Sequence, residues 1–138
     1  RLGHGAHRRR PGPEDGYLVL FEAHFKRNYI HVQDIARTFQ FIIENYEKCK
    51  GHAFNVGLST ANLSKLELAE KIKSHIPSLV IKQDDFKEDF DKRNYIVSNE
   101  KLEALGWKPI YDLDYGIKQL MAAYKIVINK NNQNFTNL

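Results

Sequence analysis

The sequence predicts an α/β fold in which short strands alternate with helices. Four short apolar runs have strand length and strand propensity: Tyr17–Phe21, Tyr29–Val32, Ala53–Gly57 and Leu79–Ile81. Between them lie segments whose apolar residues recur at helical spacing. Residues that start or stop helices bracket those segments. Such alternation is the signature of α/β architecture.

Each element has its own local logic. Tyr17-Leu18-Val19-Leu20-Phe21 reads as a first strand and Tyr29-Ile30-His31-Val32 as a second. Asp34 follows, placed to cap a helix through its carboxylate. Ile35, Phe39, Ile42, Ile43 and Tyr46 then share one face of a helix that should bury that face and end near Lys50-Gly51. Ala53–Gly57 reads as a buried strand with a glycine turn. Ser64 and Glu67 have capping-box spacing, with Leu63 and Leu68 at the staple positions. The helix they open carries Leu68, Ala69, Ile72 and Ile76 inward and stops at Pro77. Leu79–Ile81 is a further strand, and residues 83–92 form a charged, solvated loop. After Tyr95–Val97, Ser98 is placed to cap a helix running through Leu105, with Gly106 ending it. Asp112 or Asp114 opens the last helix, which contains Ile117, Leu120, Met121 and Tyr124.

Length and composition narrow the possibilities. A chain of 138 residues, 42% hydrophobic, is sized for one domain. No apolar run reaches the roughly 18 residues that span a bilayer, so no membrane role is expected. The single cysteine, Cys49, allows no internal disulfide, and the cytoplasm is the expected compartment. The net charge is +4, of which residues 1–15 hold +2 through Arg1, Arg8, Arg9 and Arg10 against Glu14 and Asp15. A nearly balanced remainder makes a poor nucleic-acid binder, because such affinity needs many phosphate contacts. Residues 1–15 also differ in kind. They draw on amino acids of GC-rich codons, whereas the remainder is rich in Phe, Tyr, Ile, Asn and Lys. We read 1–15 as a foreign or disordered basic segment and 129–138 as a polar tail.

Two strings hold the candidate chemistry. In Arg27-Asn28-Tyr29-Ile30-His31-Val32-Gln33-Asp34, an arginine precedes an apolar stretch and a capped helix. An arginine at a strand edge can fork onto a phosphate. Taken alone, the spacing favours the simpler reading, a surface salt bridge. His31 is read as a structural histidine. The second string runs from Asp91-Lys92-Arg93-Asn94-Tyr95 through Ser98, Lys101, Leu102, Leu105, Gly106 and Trp107 to Pro109. There Arg93 precedes an extended stretch, and the other residues have structural explanations. Ser98 lacks a His/Asp pair near it in sequence and is not read as a nucleophile.

Together these strings resemble the C-terminal part of the extended short-chain dehydrogenases/reductases, the NAD-dependent nucleotide-sugar epimerases and dehydratases. Four pieces stand in register over about residues 16–128: the Arg27–Asp34 string, Phe54-Asn55-Val56-Gly57, Ser64-x-x-Glu67-Leu68-Ala69, and Arg93-x-Tyr95-x-x-Ser98 through Leu105-Gly106-Trp107-x-Pro109. The resemblance implies a C-terminal fragment of a Rossmann-type enzyme. In it, residues 16–57 form a sheet-edge part, 58–109 a substrate-binding part and 110–128 a closing helix. It also implies that Arg27 and Arg93 grip the pyrophosphate of a nucleoside-diphosphate sugar, with NAD or NADP as cofactor in the intact family.

The family's Gly-x-x-Gly-x-x-Gly cofactor fingerprint does not occur in the 138 residues. Its proton-transfer pair, Tyr-x-x-x-Lys, is expected to be missing as well, since Tyr124 followed directly by Lys125 has the wrong spacing. The expectation is therefore a substrate-binding portion that is inactive alone, with no catalytic residue, no metal and no cofactor bound to this chain. A non-catalytic module binding a sugar nucleotide or a protein is the alternative. Surfaces that would pack on a nucleotide-binding half should then be exposed and favour a homo-oligomer.

Overall fold

A computed structural model describes residues 16–84 and 93–129. The basic segment 1–15, the loop over 85–92 and the tail from 130 lie outside the described residues. The architecture is mixed α/β, as the sequence predicts. It has four short strands and five α-helices among the described residues, with a 3₁₀ turn at Ser59–Ala61: β1 (Tyr17–Phe21), β2 (Lys26–Asn28), α1 (Val32–Glu44), α2 (Tyr46–Cys49), β3 (Asn62–Ser64), α3 (Lys65–His75), β4 (Val80–Asp84), α4 (Glu100–Glu103) and α5 (Leu113–Asn129).

The strands make two separate ribbons. β1 and β4 run parallel, from Tyr17 opposite Val80 to Phe21 opposite Asp84. A parallel pair needs a long crossover, supplied here by everything between Glu22 and Leu79. β2 and β3 run antiparallel with Arg27 opposite Leu63. Two of the predicted strands shift or vanish. Tyr29–Val32 is not a strand. The ladder lies earlier, at Lys26–Asn28, and β3 is only three residues long because Ser64 at its end caps α3. Ala53–Gly57 also lies in no ladder, and among the described residues no strand pairs with it.

The helices keep most of their predicted signals and lose others. The Ser64–Glu67 capping box is complete in both directions, and α3 ends at His75, ahead of Pro77. Asp112 accepts the Tyr115 N–H at 2.7 Å and so caps α5. Gly106, with φ at 95°, takes the left-handed backbone that glycine favours just beyond α4. Ser98 is not the N-cap of α4. That position belongs to Asn99, and Ser98 Oγ accepts the Glu100 N–H at a long 3.4 Å. Nor does α1 continue to Lys50: Asn45 turns its carboxamide onto Phe41 O at 2.9 Å, and this local bond competes with the helix and breaks it.

Asp34 is not a cap either. His31 is, with Nδ1 accepting the Gln33 N–H at 3.2 Å, so α1 starts two residues before Asp34. With Nδ1 accepting, the ring proton sits on Nε2, which donates to Gln119 Oε1 at 2.6 Å and ties α1 to α5. The His31 ring also stacks against Tyr111, with centroids 4.6 Å apart.

The core is small. Leu102, Trp107, Ala61, Ala69, Leu58 and Ile117 are buried, joined by the polar Asp34, Thr38 and Asn99. The α1 face that turns inward therefore carries Asp34 and Thr38. Phe39 and Ile43, expected inward, stay 66% and 74% exposed. Among the described residues no helix is long and apolar enough to cross a membrane.

Candidate functional site

Arg27 lies in the β2–β3 ribbon, and the stretch that Arg93 opens runs along that ribbon. Arg27 is the middle residue of β2. Arg93 opens an extended stretch, residues 93–97, that lies along β2 without joining a regular ladder. Asn94 Oδ1 accepts the Lys26 N–H at 2.9 Å, and the Tyr95 N–H donates to Lys26 O at 3.3 Å. Lys26 is the neighbour of Arg27, and Asn94 the neighbour of Arg93. The fold thus brings together two chain segments that are 66 positions apart in sequence.

The Arg27 guanidinium rests 5.3 Å from the centre of the Tyr95 ring, and its Nη1 donates to Lys26 O at 2.8 Å. A planar guanidinium on an aromatic face is a cation–π contact. Tyr29 belongs to the same group. Burial raises its pKa and Tyr95 adds to the rise, while the Arg27 charge opposes it. Its hydroxyl therefore stays protonated at neutral pH. A hollow of about 360 Å³ lined by His24, Lys26, Asn94, Tyr95 and Ile96 opens beside these residues. Lys26 is the one lysine or arginine in that lining, which neither Arg27 nor Arg93 joins, and the Tyr95 ring beside it offers a flat ring a stacking face.

A more enclosed cavity of about 380 Å³ lies between α3 and α5, lined by Leu58, Leu68, Ile72, Ile117 and Leu120 with His31 at its wall. Its lining is apolar and carries no arginine or lysine, so it does not match the anion chemistry of the ribbon. Among the described residues no group of three His, Cys, Asp or Glu side chains could hold a metal ion.

Asparagines hold the ribbon in shape, and the sequence reading missed them. Asn28 brackets Leu58, accepting its N–H at 3.0 Å and donating to its carbonyl at 2.9 Å. It also donates to Asn62 Oδ1 at 3.0 Å. Asn62 holds both backbone groups of Val97, each at 2.9 Å. Scattered asparagines have no spacing signature, so only the tertiary contacts reveal the set.

The residues described here do not fit a dinucleotide cofactor. Such a cradle needs a strand that runs through a glycine turn into an open helix N-terminus. β1 ends instead in a turn at Glu22, with φ 46°, that leads to β2. β3 runs directly into α3, but the Ser64 hydroxyl and the Glu67 carboxylate already occupy that N-terminus.

The Tyr-x-x-x-Lys spacing, expected to be missing, does occur: Tyr46 stands four residues before Lys50. Tyr46 is 60% exposed on α2, and the Lys50 ammonium is paired with Glu47. Tyr46 lines a shallow, open hollow with Ile43, Asn45 and Lys48, and no lysine other than Lys48 reaches into it.

No protein-family model matches the chain. Among solved structures, the chain is similar to the crystal structure of an L-threonine dehydrogenase from Phytophthora infestans. The two share 15% sequence identity with a TM-score of 0.67. The likeness covers 83% of this chain and 38% of that one. At that identity it shows the fold alone: a mixed α/β fold of the kind found within a dehydrogenase. The chain spans 38% of the length of the structure that it matches.

Proposed function

We propose that the chain is the C-terminal substrate-binding portion of an NAD- or NADP-dependent nucleotide-sugar epimerase or dehydratase, inactive by itself. In this reading Arg27 and Arg93 bind the diphosphate of a nucleoside-diphosphate sugar, and Tyr95 and Tyr29 flank it. The supporting observation is the pairing of the 93–97 stretch with Lys26, which joins the surroundings of the two arginines. The likeness to part of a dehydrogenase agrees with a fragment of a larger oxidoreductase-type fold. The exposed face of α1 agrees with a surface that associates, either with a second copy or with a nucleotide-binding half.

The test is titration of the full chain with uridine diphosphate, followed by amide chemical shifts. The expected result is weak binding, with millimolar Kd, and shifts confined to 26–29 and 93–97. Arg27→Ala and Arg93→Ala should each weaken it several-fold while leaving it measurable. Shifts centred on the apolar cavity, or binding indifferent to both substitutions, would overturn the assignment.

A further inference from the structure

The 93–97 stretch is held to its ribbon in an unusual way. A regular third strand would use a ladder of backbone bonds. Here one backbone bond, from the Tyr95 N–H to Lys26 O, is accompanied by side-chain amides. Asn94 receives Lys26, Asn55 Nδ2 donates to Ser98 O at 3.1 Å, and Asn62 takes both the N–H and the C=O of Val97. The Asn62 contact is the most constraining of these. Its carboxamide offers one acceptor and one donor to a single residue, as an adjoining strand would. Asn28 Nδ2, donating to the same Oδ1, fixes which way the amide faces.

We infer that Asn62 is a positioning residue. Its two-point clamp on Val97 sets the register of the 93–97 stretch on β2, and that register holds Tyr95 against Arg27 and carries Arg93 on the same stretch. The inference rests on the diphosphate reading for its functional consequence. The geometry behind it stands on hydrogen bonds alone. Without the clamp, the Tyr95 backbone bond, the Asn94 contact and the single Asn55 bond to Ser98 O remain, and the middle of the stretch becomes free to slide or lift. The two arginines would then no longer present a fixed pair of forks to two adjoining phosphates, and the preorganisation that favours a bidentate anion contact is lost.

Two measurements on the full chain test this. Hydrogen exchange at the Val97 amide reads the clamp, and uridine diphosphate titration reads its consequence. Asn62→Ala should expose the Val97 amide to exchange and weaken uridine diphosphate roughly tenfold, comparable to losing one good contact. Asn62→Asp retains the acceptor for Val97 N–H but sets an oxygen against Val97 C=O. It covers the case in which the alanine variant fails to fold, and it should weaken binding in the same direction. The deciding comparison is the double variant. If Asn62 acts by placing Arg93, then adding Asn62→Ala to Arg93→Ala should cost no more than about twofold, the margin within which independent sites add. A second full tenfold loss there would overturn the positioning role, as would a Val97 amide equally protected in wild type and Asn62→Ala. Absence of any uridine diphosphate binding by the wild type would overturn the diphosphate reading and the positioning role with it. In that case lost Val97 protection in Asn62→Ala would still show that the clamp itself was correctly read.

Discussion

The Asp34 carboxylate receives the backbone N–H of Ile110 through both oxygens, at 3.0 and 3.2 Å, although 76 positions separate the two residues. Tyr111 N–H adds a third contact at 3.0 Å, and Arg37 Nη1 a fourth at 2.6 Å. Asp34 is fully buried, so these donors replace its water. They fasten the first turn of α1 to the segment that leads into α5. An acidic residue in that first turn also faces the positive end of the helix dipole.

Removing this carboxylate should be costly. Asp34→Ala strands the part-buried Ile110 and Tyr111 N–H donors, each worth about 1–3 kcal/mol when left unpaired. Arg37, partly exposed, can turn to water instead. Urea unfolding should show a loss on the order of 3 kcal/mol for Asp34→Ala. Asp34→Asn should also lose stability, because its NH₂ group opposes one of the N–H donors. A variant within about 0.5 kcal/mol of wild type would show that the clasp contributes little.

The same carboxylate predicts a pH response. Burial alone would raise its pKa, but the Ile110 and Tyr111 N–H groups and Arg37 outweigh it, and the folded value lies below the ordinary one. A group depressed on folding contributes stability that is fully present above its unfolded value, near pH 4, and lost as pH falls through the folded value. Asp114, held low chiefly by Lys71 and then by His75, acts in the same direction and joins α5 to α3. Thermal midpoints should therefore fall steeply below about pH 4, and less steeply in Asp34→Ala. An acid limb identical in both proteins would remove Asp34 from the account.

Gly57 should tolerate no side chain. A Cβ there would meet Asn28 Oδ1 at 2.0 Å and Asn99 Oδ1 at 3.0 Å. Asn28 cannot yield without releasing Leu58 and Asn62. Gly57→Ala should cost more than about 3 kcal/mol, the range of severe overpacking. Much of that cost should be shared with Asn28→Ala, so the double variant should fall well short of the sum. Simple additivity would place the clash elsewhere.

What the sequence made legible follows from how local each signal is. The Ser64–Glu67 box, the stop before Pro77 and the Asp112 cap use residues within one turn, and all are found as read. The strand assigned to Tyr29–Val32 failed because the competing signal, an imidazole cap from His31, is a rarer device than an aspartate cap. Ala53–Gly57 has strand composition, but composition supplies no pairing partner. At the ribbon, Arg27 and Arg93 could be singled out from their strings. The asparagines that join their segments could not, since their partners lie 30–68 positions away. The Tyr46–Lys50 spacing shows the opposite failing: a motif can match in spacing yet stand in solvent.

Catalysis should be absent from this chain by itself. The chain with added NAD or NADP should turn over no common sugar nucleotide, because the described residues form no dinucleotide cradle and the Tyr46–Lys50 pair faces water. Tyr46→Phe serves as the control and should change nothing measurable. Turnover that scales with protein, survives repurification and disappears in Tyr46→Phe would make that pair catalytic and reverse this account.

Association should follow from the outer face of α1. Val32, Phe39, Ile43 and Tyr46 are each at least 60% exposed and lie near one face of the α1–α2 stretch. On α5, Leu120 and Tyr124 are 61% exposed, a second apolar surface. Folded chains seldom leave such stripes in water, since each large side chain forgoes about 1.5–3 kcal/mol of burial. Two copies burying these faces against each other would recover part of that. Light scattering at micromolar concentration should therefore report more than one chain per particle. Ile43→Glu together with Phe39→Ser should shift the particle to one chain and leave α-helical circular dichroism intact, because both side chains point away from the buried Asp34 and Thr38. A wild-type monomer with cooperative unfolding would show that the small core suffices by itself and that the exposed stripe drives no self-association.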